Sequence, residues 1–136
     1  MQVYDLRSLP TVKRDMDLLR ELLLNIENDP KMDCTTEFYY DNPEQMGIHE
    51  RSTEEVAYHL RLLIESGYVN GAVTMAVPMQ IIRGLTNSGH DFLANISNDT
   101  IWNKVKKQAG EISDHLALPV VAAIAEAIVK KQFKLT

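Results

Sequence analysis

The stretch from Ser52 to Val69 constrains this chain more than any other. Ser52-Thr53-Glu54-Glu55 has the S-x-x-E form of a capping box, in which a hydroxyl and a carboxylate satisfy each other's orphan amides at a helix start. Val56, Leu60, Leu63 and Ile64 then recur at three- and four-residue steps and line one buried face. Gly67 stands where a left-handed C-terminal cap belongs. Tyr68-Val69 leads directly into β-like sequence.

Beyond it, Val73-Thr74-Met75 and Met79-Gln80-Ile81-Ile82-Arg83 read as two strands of a hairpin joined near Val77-Pro78. Thr86 is the expected N-cap of the next helix, whose buried side is Phe92, Leu93 and Ile96. Upstream, Met16, Leu19, Leu22, Leu23 and Ile26 mark a helix over residues 13–28, stopped by Asn28-Asp29-Pro30 because proline disfavours helical geometry in the residue before it. Between these, Glu37-Phe38-Tyr39-Tyr40 has aromatic β character, Asp41-Asn42-Pro43 is turn chemistry, and residues 46–49 suggest a short strand. Downstream, Asn98 or Asp99 caps a helix in which Trp102, Val105, Ala109, Ile112 and Leu116 form a heptad-like seam that Pro119 breaks. Residues 120–133 form a last helix, apolar on most of its circumference, with Lys130, Lys131 and Lys134 suited to its C-terminus by the macrodipole. Such a helix must be covered. Residues 116–133 are therefore expected either to pair two chains as a homodimer or to lie on the first helix.

The chain has 136 residues, enough for one domain, and 45% apolar with 24% charged residues is ordinary globular composition. Disorder, collagen and a disulfide scaffold are excluded on that basis. One cysteine, Cys34, cannot close an intramolecular disulfide and fits an intracellular protein. The opening apolar stretch is interrupted by Asp5, Arg7 and Pro10, unlike a signal peptide, and residues 116–129 are too few to span a bilayer. A cytoplasmic protein without a membrane partner is expected. The formal charge of −5 is uneven: residues 1–100 hold 16 Asp/Glu and 8 Lys/Arg, whereas residues 101–136 hold 6 Lys and 3 acids. An acidic field slows encounter with DNA rather than steering it.

Helix, weak strand, capped helix, hairpin, helix is the order of a winged helix-turn-helix. The predicted fold class is α+β, mostly α, with a winged helix-turn-helix-like core over residues 13–98 and a small antiparallel β-hairpin wing. An N-terminal arm, residues 1–12, precedes it, and two additional C-terminal helices follow in residues 99–136. HLRLLIESGYV (residues 59–69) resembles the recognition helix and its exit in winged-helix repressors, and LTNSGHDFL (residues 85–93) resembles the step that closes their wing. A resemblance over nearly the whole chain from Lys13 is carried by KRDMDLLR (13–20), EEVAYHLRLLIESGYV (54–69), GHDFL (89–93), DTIWNKVK (99–106) and Leu118-Pro119. These match an uncharacterised domain-of-unknown-function family, family 2513, whose members are common in phage and prophage genomes. That resemblance implies a bacterial or phage cytoplasmic protein with a winged-helix-like core and no established activity. Two departures stand out: residues 1–12 precede the usual start, and Asn87 replaces a frequent tryptophan.

Were the domain to bind DNA, the helix over residues 52–66 would enter the major groove. Glu54, Tyr58, Arg61, Leu62 and Glu65 would then face outward. Arg61 could pair with a guanine edge and Tyr58 could reach a phosphate. Arg83 at the wing, together with Lys104 and Lys107 on the following helix, completes the candidate DNA-binding set; Lys106 joins the two lysines as solvating charge. The acids on the helix oppose this reading and favour a protein-interaction module that offers an acidic face to a basic partner. The four histidines form no metal-ligand spacing, and His59 reads as a packed, hydrogen-bonded residue. No phosphate loop and no G-x-S-x-G elbow occurs. The expected function is non-enzymatic, with no cofactor and no metal: a DNA-binding or accessory transcriptional regulator, or the interaction module.

Overall fold

The structure, a computed structural model, describes residues 13–74, 80–113 and 116–133. Its first helix, α1 (Met16–Asn28), begins where Asp15 takes an extended conformation and its carboxylate accepts from the amides of Asp17 and Leu18. This is an N-cap, satisfying donors that a helix start leaves orphaned. Leu18, Leu19, Leu22, Leu23 and Ile26 are buried, and the helix stops at Asn28, two residues short of Pro30.

Strand β1 (Asp33–Tyr40) follows, longer than its aromatic end alone suggested. Residues 46–49 do not form the expected strand. Pro43–Met46 is instead one turn of 3-10 helix, closed by Gly47 at φ +68°. The reason is a reciprocal capping box. The Asn42 side chain accepts from the Gln45 amide at 3.2 Å, and the Gln45 side chain accepts from the amides of Asp41 and Asn42 at 2.7 and 3.2 Å.

Helix α2 (Thr53–Glu65) makes only half of its expected box. Ser52 Oγ accepts from the Glu55 amide at 3.0 Å, but the Glu55 carboxylate turns to the Arg51 guanidinium at 2.8 Å. A charge-assisted bond outcompetes the neutral amide. Val56, Leu60 and Leu63 are buried as expected, and Gly67, at φ +81°, ends the helix with Tyr68 N–H bonded to the Leu63 carbonyl.

Strands β2 (Val69–Val73) and β3 (Gln80–Leu85) pair antiparallel, with the turn expected at Val77-Pro78 outside the described residues. β3 also pairs antiparallel with β1, so the order is β1-β3-β2 and the ribbon is part of a three-stranded sheet. Tyr40 and Ile82, fully buried, turn one sheet face toward α1 and α2. Helices α3 (Asn87–Ile96), α4 (Asp99–Ile112) and α5 (Leu118–Gln132) complete the chain. The α+β class holds: five helices and one antiparallel sheet among the described residues.

The heptad-like seam fails in its second half. Trp102 and Val105 are buried, but Ile112 is 62% exposed and α4 ends there, short of Leu116. Pro119 lies in the first turn of α5, where its missing amide is no loss. That last helix buries Leu118, Val121, Ile124 and Ala125 and packs on α4 and α3 more than on α1.

The ribbon is locked to the helices at Thr86. Its amide donates to the Tyr68 carbonyl at 3.1 Å, its hydroxyl donates to the Gly67 carbonyl at 2.5 Å, and the same oxygen accepts from the Gly89 amide at 2.9 Å. Gly89 is required for close approach: a Cβ there would lie 2.0 Å from the Tyr68 carbonyl oxygen. At Gly110, inside α4, a Cβ would meet nothing within 4 Å. The two positions should respond oppositely in urea unfolding. Gly89→Ala is expected to destabilise by about 1–3 kcal/mol through overpacking. Gly110→Ala should stabilise by roughly 0.5–1 kcal/mol, the usual helix-interior difference between the two residues.

Candidate functional site

The face expected to meet a macromolecule begins on α2. Glu54, Arg61 and Glu65 are exposed and Tyr58 and Leu62 are half-buried, the outward set read from the helical period. Arg61 Nε donates to Glu65 Oε1 at 2.8 Å, an i,i+4 pair on the solvent face. Tyr58 packs edge-on to the His59 ring, 5.4 Å between centroids.

Arg83 occupies another place. Ile82 faces the core from β3, so by strand alternation Arg83 lies on the opposite, outer face of the sheet. There it donates to Glu37 Oε1 of β1 at 2.7 Å and to Asn70 Oδ1 of β2 at 3.4 Å, tying the central strand to both edges. The arginine holds the Glu37 carboxyl below its ordinary value. Tyr39, 53% exposed, lies on the same face and bonds Glu37 at 3.3 Å.

Lys104 and Lys107 lie on α4, which packs on α3 and α5 rather than on α2 or the sheet. Lys104 Nζ donates to Gln132 Oε1 at 2.8 Å, and Lys107 is exposed. The five candidates therefore fall on three surfaces. The structure brings Tyr58 and Arg61 together and leaves Arg83 and the two lysines elsewhere.

A cluster that sequence spacing did not reveal joins α1 to α2. His59 is completely buried. Its Nε2 accepts from the Asp15 backbone amide at 2.8 Å, and its Nδ1 lies 2.8 Å from the Glu55 carbonyl. A carbonyl can only accept and an amide can only donate, so the ring is the neutral Nδ1–H tautomer. Arg51 lies beside it, bonded to Asp15 Oδ2 at 2.7 Å and to Glu55 Oε1 at 2.8 Å. With both nitrogens engaged inside the protein, His59 has no lone pair for a metal or a substrate. His90 is exposed beside Glu27, and no cluster of metal-ligating side chains occurs among the described residues. A helix expected from residue 13 put Asp15 inside it rather than at its cap, and the partner of the Asp15 amide lies 44 residues away.

Desolvation lowers the His59 pKa, opposed only in part by the Glu55 carbonyl and the nearby carboxylates. A folded-state value below the unfolded 6.5 means that the unfolded chain binds the proton more readily. The corresponding stability is complete above pH 6.5 and is lost as the pH falls below it. Urea midpoints measured from about pH 7 down to 5 should fall in the wild type and fall less in His59→Phe, which has no such proton to bind. At neutral pH, His59→Phe is expected to cost about 1–3 kcal/mol, because it removes the partner of the half-buried Asp15 amide.

These features define a small α+β domain presenting a capped helix and a three-stranded antiparallel sheet, with no helix among the described residues long and apolar enough to cross a membrane. The chain belongs to the family described as Hypothetical protein (DUF2513), which matches residues 13–115. It is also similar to a Haemophilus influenzae protein described as an uncharacterized protein, 30% identical over 122 residues, covering 88% of this chain and 98% of the relative. No solved structure matches it.

Proposed function

We propose that this is a non-enzymatic binding protein of the bacterial or phage cytoplasm, an accessory regulator built on a winged-helix-type core whose α2 face takes a basic protein partner. One observation carries the reading. The two arginines aimed at nucleic acid, Arg61 and Arg83, are each engaged by a carboxylate of their own surface, Glu65 and Glu37. The Arg61–Glu65 pair is exposed and weak, so that arginine can be released. The carboxylate left behind would then face the phosphates, and Glu54 adds to it on α2. A basic peptide meets the same charges favourably.

DNA binding by a protein of phage or prophage origin is the second reading, favoured by the strand order β1-β3-β2 and by α2 entering the ribbon directly. That arrangement suits a recognition helix beside a wing. The two readings separate in a pair of titrations at low salt. An arginine-rich peptide is expected to bind, with affinity reduced roughly tenfold in the Glu54→Lys, Glu65→Lys double variant. Random duplex DNA is expected to show no electrophoretic retardation at micromolar protein. Retardation that disappears in Arg61→Ala would establish the DNA reading instead.

The same proposal includes a homodimer through residues 116–133. On α5, Pro119, Val120, Ala123 and Ala127 are exposed, and Ile112 lies just before the helix. Sedimentation is expected to give a dimer of the 15.4 kDa chain that Val120→Asp converts to monomer. A wild-type monomer at high micromolar concentration would exclude it.

A further inference from the structure

A groove lies between the start of α1, one side of α4 and the start of α5. Met16, Trp102, Val105, Ala109, Leu116 and Val121 form its walls, and it encloses about 200 Å³. An apolar cavity of about 150 Å³ already accepts a benzene ring. Arg14 and Lys106 also line the groove, so the apolar space is bordered by two cations.

The charges around this groove are arranged unevenly. Lys106 Nζ donates to Asp17 Oδ1 at 2.8 Å, and the Trp102 indole N–H donates to the same oxygen at 2.8 Å. The ammonium stands 5.8 Å from the Trp102 ring centroid. Arg14 donates to the Leu116 carbonyl, a neutral acceptor, which uses one of the five donors on its planar fork. Asp17 thus answers Lys106, whereas Arg14 meets no carboxylate among the contacts of the described residues. An amphipathic anion satisfies both halves of the groove. A ring fills the apolar space beside Trp102, and a carboxylate meets the fork geometry that arginine recognises best.

The geometry points to a binding site for a small monocyclic aromatic carboxylate, its ring against Trp102 and its carboxylate on Arg14 and Lys106. A phosphate or other compact anion would leave the apolar walls unused. A neutral arene would leave the Arg14 guanidinium without a counter-charge.

Trp102 is the chain's one tryptophan, so a single indole N–H resonance reports on the groove. Titrating the full chain with sodium benzoate is expected to move that resonance saturably. Benzyl alcohol, with the same ring and no charge, should bind roughly tenfold more weakly, the loss of one charge-assisted contact. Arg14→Met should weaken benzoate by a similar factor and leave benzyl alcohol unchanged. Ala109→Leu should abolish both responses by filling the space, and Gly110→Leu supplies a second block should Ala109→Leu disturb the fold. No saturable shift at millimolar benzoate would overturn the proposal, as would equal binding of benzyl alcohol or full benzoate binding in the folded blocked variants. A resonance that moves on protein dilution and ignores benzoate would assign the groove to a second copy of the chain.

Discussion

One imidazole, shut away from water, holds the beginnings of two helices in register. His59 receives the Asp15 amide through one nitrogen and reaches the Glu55 carbonyl through the other, so α1 and α2 can meet at only one offset along their axes. Arg51 covers the junction by bridging Asp15 and Glu55 from outside. Tyr40 closes the third side, its buried hydroxyl donating to the Thr53 carbonyl at 2.9 Å and bringing β1 to the same first turn of α2. Sheet, α1 and α2 are thereby fastened within a few residues of one another. The α2 surface inherits its position from that knot.

Much of this was legible before any coordinates, and the pattern of success is physical. Caps at Ser52, Thr86 and Asn98 are local chemistry, a short polar side chain reaching an amide two or three residues on, and all three form. The apolar faces of α1 and α2 follow from periodicity alone. Errors arose where two local signals compete. Residues 46–49 look strand-like, yet Asn42, Pro43 and Gln45 commit the backbone to a turn first. The S-x-x-E spacing offers Glu55 an amide, and the neighbouring guanidinium takes the carboxylate instead. On the candidate site, the Arg61–Glu65 pair could be seen as an i,i+4 spacing, whereas Glu37 and Arg83 are 46 residues apart and only the folded sheet unites them. Nothing local announces such a pair.

Most of the arginines with distinct partners act as fasteners. Arg20 clamps the end of α3 by donating to the carbonyls of Ile96 and Ser97 and to Asp99, each at 2.7 Å. Arg83 spans three strands and Arg51 spans two helices. Arg20, Arg51 and Arg83 thus lie on seams between elements, and on the outward face of α2 the acids Glu54 and Glu65 outnumber the one arginine, Arg61. That division of labour underlies the proposal of a positively charged protein partner for the α2 face.

The slip in β1 has a consequence of its own. Between Asp33 and Phe38 the strand advances five residues while β3 advances two, and Cys34 within the slip adopts φ +68°. Its outer rim therefore lacks the evenly spaced donors and acceptors that a further strand would need as a template. An otherwise open border of sheet, rich in threonine and tyrosine, is thereby spoiled for edge-to-edge stacking. A local defect in the weave thus makes this border a poor template for fibrous self-assembly.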